Sequence, residues 1–236
     1  MNLWVGTSGY SYKEWKGKFY PAGIPDGDML RSYAEQLPSV EINNTFYRLP
    51  KAEVLEAWAG QVPANFRFVL KASRRISHNK RLREVGDETE YLYRTAGVLG
   101  RRLGVILFQM PPNFAKDLPR LQAFLELIPT GQGAALEFRH ASWFDDEVFD
   151  SLRARGCALC YSDTDEDPVG RLVSTANWGY LRLRKSAYSK KALTDWVKQV
   201  HSQGWEGAYV YFKEEEEALG PKLAMRFLEI AGAEKM

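Results

Sequence analysis

Short runs of apolar or alternating residues recur along the whole chain, and an amphipathic stretch with helical spacing follows most of them. Eight runs read as strands, at residues 3–6, 40–43, 67–72, 104–109, 134–138, 158–162, 180–184 and 208–212. Helical patterns occupy 29–37, 52–61, 88–102, 118–127, 146–155, 191–202 and 222–231. The sixth unit is degenerate, because its strand runs into Asp163-Thr164-Asp165-Glu166-Asp167-Pro168, an acidic, turn-rich segment with no helical pattern. Strands alternating with helices build a parallel sheet. Eight units in 236 residues is about 30 residues each, which suits one α/β domain, a (β/α)8 TIM-type barrel near the compact end of its usual size of roughly 250 residues. An open doubly wound sheet competes, but Gly6-Thr7-Ser8-Gly9 lacks the third glycine and the helix start of a dinucleotide-binding turn. No linker divides the chain, so one domain spans 1–236. The acidic run 214–217 is expected at a helix start, where carboxylates suit the dipole.

Hydrophobic residues make up 45% of the chain, enough for one substantial core. Charges nearly cancel: 32 Lys and Arg against 30 Asp and Glu leave +2 with histidines neutral. A chain-wide basic field for gripping nucleic acid is thereby excluded, but a local basic pocket is not. No apolar run approaches the roughly 18 residues of a membrane helix. The first strand pattern begins after two residues, without the marks of a secretory leader, so a cytoplasmic protein with no membrane association is expected. Cys157 and Cys160 are the only cysteines. They sit three apart in a strand pattern and so face opposite ways, and no second pair completes a zinc site.

In a barrel, alternate strand residues point inward and chemistry collects at the C-terminal strand ends. Polar residues at those ends and with inward parity are Glu41 and Asn43, Lys71 and Ser73, Gln109, Glu137 and Arg139, Arg182 and Arg184, and Tyr211 and Lys213. Burying such charges without partners costs several kcal/mol, so they must pair with one another or with a ligand. The loop after the third strand adds Arg74, Arg75, His78, Lys80 and Arg81, and aromatic residues border the same mouth: Tyr10, Tyr12, Trp15, Phe46, Tyr47, Trp143 and Phe144. Arginine forks and lysine point charges suit phosphate or carboxylate, which points to an anionic ligand.

Several of these segments, in order, resemble one family. They are Gly6-Thr-Ser-Gly-Tyr-Ser-Tyr12 with Trp15 and Phe19-Tyr-Pro21, Val40-Glu-Ile-Asn-Asn-Thr-Phe-Tyr-Arg-Leu-Pro50, Phe68-Val-Leu-Lys-Ala-Ser-Arg74, Gln109-Met-Pro-Pro-Asn-Phe114 and Glu137-Phe-Arg-His-Ala-Ser-Trp-Phe144. The chain is similar over nearly its whole length to the DUF72 proteins, also called YecE-like or UPF0759. The resemblance implies a TIM-type barrel, no cofactor, and an activity that the family does not specify. Family members often end the seventh strand with Arg-Leu-His-Gly and follow the eighth with Phe-Asn-Asn. This chain reads Arg182-Leu-Arg-Lys185 and Phe212-Lys-Glu214, so any role needing an imidazole or amide there is absent. Glu41, Asn43, Lys71, Arg74, Glu137, Arg139 and His140 are the residues carried over from the family pattern.

The first functional expectation is binding, with hydrolysis or isomerisation, of a small phosphate-bearing anion such as a phosphosugar. Glu41 and Glu137 would supply acid–base chemistry tuned by Lys71, and Asn43, Tyr47, Arg74, His78, Gln109, Arg139, His140, Trp143, Arg182 and Arg184 would bind the ligand. Glycoside hydrolysis by the Glu41 and Glu137 pair is a second reading, although neutral sugars give four arginines nothing to do. Nucleic-acid binding or phosphodiester cleavage through the basic loop is a third. With only His78, His140 and His201 in the chain, a multi-zinc site is disfavoured, and one divalent ion on Glu41, Glu137 and a neighbour is the remaining metal option. A non-catalytic scaffold is the fourth.

Overall fold

Parallel pairing in chain order closes the sheet on itself. A computed structural model describes residues 1–166, 170–213 and 216–233. The strands are β1 (Asn2–Ser8), β2 (Ser39–Ile42), β3 (Arg67–Lys71), β4 (Leu103–Gln109), β5 (Gly133–Glu137), β6 (Ala158–Asp163), β7 (Trp178–Leu183) and β8 (Gly207–Phe212). Each pairs with its successor, and β1 pairs with β8, giving a closed barrel. The helices are α1 (Met29–Gln36), α2 (Ala52–Ala59), α3 (Gly86–Ala96), α4 (Leu118–Leu125), α5 (Asp146–Ala154), α6 (Lys190–Ser202) and α7 (Leu219–Ala233). Among the described residues no helix lies between β6 and β7, as the acidic segment after β6 implies. The (β/α)8 barrel with a degenerate sixth unit is therefore the observed fold. Asp167 and Pro168 of that segment lie outside the described residues, as do Glu214 and Glu215 of the acidic run expected at a helix start.

Strand alternation separates two apolar layers. Val69, Val105, Leu107, Ala135, Ala158, Cys160, Tyr180, Tyr209 and Tyr211 pack together inside the barrel. Strand residues of the opposite parity, such as Phe108, Leu136, Leu181 and Phe212, join the larger layer under the helices. Cys157 belongs to that outer layer and Cys160 to the inner one, and both are free.

Helix ends follow local chemistry. Ser189 caps α6 by accepting from Ala192 N, and Asp145 caps α5 by accepting from Glu147 N, which satisfies amides that have no partner within the helix. The predicted helix 88–102 is shorter than expected: α3 ends at Ala96, and Gly97–Arg102 forms a tighter turn in which Gly100 takes φ 55°. The last helix starts earlier than predicted, at Leu219, with Pro221 in its first turn where no amide is missed.

The first strand also runs further than its sequence suggests, to Ser8. A Cβ at Gly6 would lie 1.8 Å from Ser39 O and 2.8 Å from the Tyr33 hydroxyl, so only glycine lets that hydroxyl enter between β1 and β2. There Tyr33 accepts from Thr7 N at 2.8 Å and donates to Ser39 O at 2.9 Å. Beyond this bridge the ladder continues with Thr7 opposite Val40 and Ser8 opposite Glu41. No helix among the described residues is long and apolar enough to cross a membrane.

Candidate functional site at the barrel mouth

Inward parity at the C-terminal ends of β2, β5 and β7 brings Glu41, Glu137 and Arg182 together, although nearly a hundred residues separate the first two. All three are buried, with relative exposures of 0%, 1% and 2%. Arg182 Nη2 donates to Glu41 Oε1 at 2.8 Å, and Arg182 Nη1 donates to Glu137 Oε2 at 2.7 Å, so one guanidinium holds both carboxylates. The remaining acceptor positions are also engaged. Ser8 Oγ donates to Glu41 Oε1 at 2.7 Å, and the Tyr180 hydroxyl to Glu41 Oε2 at 2.6 Å. Gln109 Nε2 donates to Glu137 Oε2 at 2.8 Å, and Arg139 Nε to Glu137 Oε1 at 2.9 Å.

These contacts decide the charge states. Burial on its own would raise both carboxyls. For Glu41 the Arg182 charge and the Tyr180 and Ser8 hydroxyls outweigh burial, and for Glu137 the Arg182 and Arg139 charges with the Gln109 amide do so, holding both below the usual carboxylate range. Burial would lower Arg182, but Glu41 and Glu137 reverse this and hold it firmly protonated.

Lys71, at the end of β3, has no carboxylate partner among the described residues. Its Nζ lies 4.3 Å from the centre of the Phe46 ring. Burial, reinforced by the Arg182 charge, lowers its pKa to about 8, against the pull of Glu41 and Glu137. Arg184, just beyond β7, also lacks an ion-pair partner among the described residues, and its buried Nε has no hydrogen-bond partner. Burial lowers its pKa, and the neighbouring Arg182 and Arg139 charges lower it further. The Nε of Arg182 is likewise buried without a partner.

A cavity of about 630 Å³ opens beside this cluster. Arg139, Arg184 and Lys213 line it together with the carboxylates Glu137, Asp165 and Glu166, and Phe144 forms part of the wall. The neighbouring carboxylate Asp163 is already paired, with Lys185 Nζ at 3.0 Å and the Tyr188 hydroxyl at 2.9 Å.

The other expected site residues divide. His78 lies on the turn Arg75–Asn79, takes part in a hydrogen bond with Ser77 Oγ at 2.9 Å, and meets the Phe46 ring at a centroid distance of 4.9 Å. Burial, followed by the Lys71, Arg139 and Arg74 charges, lowers its pKa, so it is neutral near pH 7. Asn43 and Arg74 precede the turns that follow β2 and β3. Tyr47 is 72% exposed and stands edge-on to Phe46. His140 Nδ1 is engaged locally, 2.8 Å from Ser142 Oγ. Trp143 does not face a ligand as expected. Its ring is 0% exposed and stacked on Phe138 at 4.5 Å, and its Nε1 donates to Phe114 O.

The sequence reading misses Ser8 and Tyr180. Ser8 carries the correct parity, two residues beyond Gly6, but its Gly-rich surroundings resemble a turn. Tyr180 has inward parity, but only closure of the barrel places its hydroxyl on Glu41. The basic loop is less free than its composition suggests, since Arg75 and Lys80 both pair with Glu88, at 2.7 and 2.8 Å. Among the described residues no group of three or more His, Cys, Asp or Glu could hold a metal ion.

Comparisons with known proteins agree with this architecture. UPF0759 protein YecE of Escherichia coli (strain K12) is 35% identical over 144 residues, covering 60% of this chain and 50% of that protein. UPF0759 protein YunF of Bacillus subtilis (strain 168) is 26% identical over 181 residues, covering 71% and 62% respectively. The matched regions thus span about half to three fifths of these relatives. The crystal structure of a DUF72 family protein from Thermotoga maritima has the same fold, with a TM-score of 0.82 at 23% identity over 98% of this chain and 100% of that one. The family model described as "Protein of unknown function DUF72" matches residues 4–236, and the chain therefore belongs to the DUF72 family.

Proposed function

We propose that the mouth of the barrel binds a compact phosphate-bearing anion, with a phosphosugar as the best fit. The observation that carries this reading is a pair of cations without partners. Glu41 and Glu137 are taken up by Arg182 and Arg139, and Asp163 by Lys185, whereas Lys71 and Arg184 have no carboxylate partner among the described residues in a partly desolvated site. Arg139, Arg184 and Lys213 in the cavity lining suit a phosphate, and Asp165 and Glu166 in the same lining can accept hydrogen bonds from sugar hydroxyls.

Glu41 and Glu137 act in this reading as the anchors of Arg182 rather than as a proton-transferring pair. A glycosidase needs one protonated carboxyl as general acid, and both of these are held ionised by their donors. Phosphodiester grip by the loop after β3 is weakened by Glu88, which already neutralises two of its cations.

Thermal unfolding with inorganic phosphate, a hexose monophosphate or the neutral hexose, each against chloride at equal ionic strength, tests the proposal. A hexose monophosphate at 100 times its Kd stabilises by about 2.7 kcal/mol, roughly a 5–10 °C rise for a chain of this size. Arg184→Ala and Arg139→Ala remove the rise, and the neutral hexose gives none. If neither phosphate compound shifts the midpoint beyond chloride, the proposal fails.

A further inference from the structure

We infer that Lys71 is a covalent amine, one that condenses with the carbonyl group of an anionic ligand held in the barrel mouth. This rests on the anion reading above and adds the ligand's second functional group. Every other charged side chain at the centre of the mouth has a structural partner or lines the cavity. Glu41, Glu137 and Arg182 hold one another, and Arg139 is tied to Glu137. Lys71 and Arg184 both have inward parity and no carboxylate partner among the described residues, but only Lys71 carries an amine that can deprotonate and attack, its Nζ resting on the Phe46 ring face. An ammonium kept for structure is paired with a carboxylate; here the ring face favours the ammonium, and it is burial with the Arg182 and Arg139 charges that favours the uncharged, nucleophilic amine.

The electrostatics agree with this placement. Burial and Arg182 bring the amine to about 8 against the pull of Glu41 and Glu137, with Arg139 adding to the lowering. At pH 7 that leaves about a tenth of Lys71 unprotonated, roughly 300 times the fraction of an ordinary exposed lysine. Loss of free solvation does not block approach, because the side chain is only partly buried.

The step balances without an oxidant or reductant. The Lys71 nitrogen lone pair adds to the carbonyl carbon, both amine protons pass to the carbonyl oxygen, and that oxygen departs as water, leaving a C=N bond. The arginines beside it hold the ligand's phosphate or carboxylate and disfavour a protonated amine before the reaction. Ligands with this chemistry are sugar phosphates in their open form and 2-oxo acids.

Reductive trapping separates these sources. The full chain is incubated near pH 7 with sodium cyanoborohydride and either dihydroxyacetone phosphate, pyruvate or neutral acetaldehyde, and each lysine is then scored by peptide mass spectrometry. With at least one anionic probe, Lys71 is labelled at least about tenfold faster than exposed Lys51, and competing inorganic phosphate slows this labelling. Lys71→Arg, which keeps the charge, loses the mark while still being stabilised by phosphate. Labelling spread evenly over the lysines, or centred on Lys213, overturns the inference while leaving any phosphate stabilisation intact. Selective labelling of Lys71 by acetaldehyde that phosphate does not slow overturns instead the anion reading on which the choice of ligand rests.

Discussion

The Tyr180 hydroxyl on β7 donates to Glu41 Oε2 on β2 at 2.6 Å, across an interval of three strand steps around the barrel wall. Tyr180 is itself buried, and burial together with the Glu41 charge raises its pKa well above the ordinary tyrosine value, so it remains a donor throughout the physiological range. Glu41 thus has a neutral donor on one oxygen and a cation on the other.

Removing the cation reverses the acid response. In the wild type, Glu41 and Glu137 ionise below the unfolded value of roughly 4.3, so their stabilisation is present above that pH and is lost as pH falls through their folded values. Arg182→Met leaves two buried carboxylates uncompensated by it and costs about 3–5 kcal/mol at pH 7. Burial then governs the carboxyls and raises them, so urea midpoints of this variant rise between pH 7 and pH 5 while those of the wild type do not. A parallel decline in both proteins would contradict the assignment of Arg182 as the controlling charge.

Lys71 acts in the opposite sense. Its folded pKa of about 8 lies below the unfolded one, so its charge is a burden on the fold below pH 8, and that burden fades as pH rises toward the unfolded value. Lys71→Met raises stability near pH 7 by roughly 1 kcal/mol, and the gain vanishes near pH 10. Denaturant titrations at the two pH values measure it; an equal gain at both would assign the effect to packing.

Gly6→Ala tests the bridge between β1 and β2. A methyl group 1.8 Å from Ser39 O and 2.8 Å from the Tyr33 hydroxyl forces the strands apart, and the substitution costs about 3 kcal/mol or more, seen as a lower thermal midpoint. A loss below about 0.5 kcal/mol would show that the strands shift freely there.

Both thiols are chemically quiet in the folded chain. Burial pushes Cys157 up to about 12, and burial with the Glu137 charge pushes Cys160 well above the ordinary value. Ellman's reagent at pH 8 therefore reacts with neither until denaturant is added, after which two equivalents are released. Rapid reaction under native conditions would contradict this packing.

The sequence carries the barrel well because period and parity are local properties. Lys71, Gln109, Glu137 and Arg182 occupy inward strand ends that two-residue alternation identifies without any knowledge of pairing. Ser8 is harder to find, because Gly6 and Gly9 disguise the strand, and only its ladder to Glu41 and the Tyr33 bridge keep it extended. Trp143 and Phe144 show another limit: they are adjacent, yet one stacks inside on Phe138 and the other lines the cavity, a choice made by the turn Ala141–Trp143. The partners of Arg182 were not legible either, because they depend on distances across a closed sheet.

The clamp formed by Arg182 also bears on the order in which the chain assembles. Its three members come from the second, fifth and seventh strands, so the clamp is formed almost entirely from contacts distant along the chain. Through most of synthesis Glu41 and Glu137 exist without their shared counter-ion, and a partial sheet that buried them would be penalised. The clamp therefore rewards closure rather than any intermediate stage, making the final strands a condition for burying the earlier ones and favouring an all-or-none barrel over a stable half-barrel.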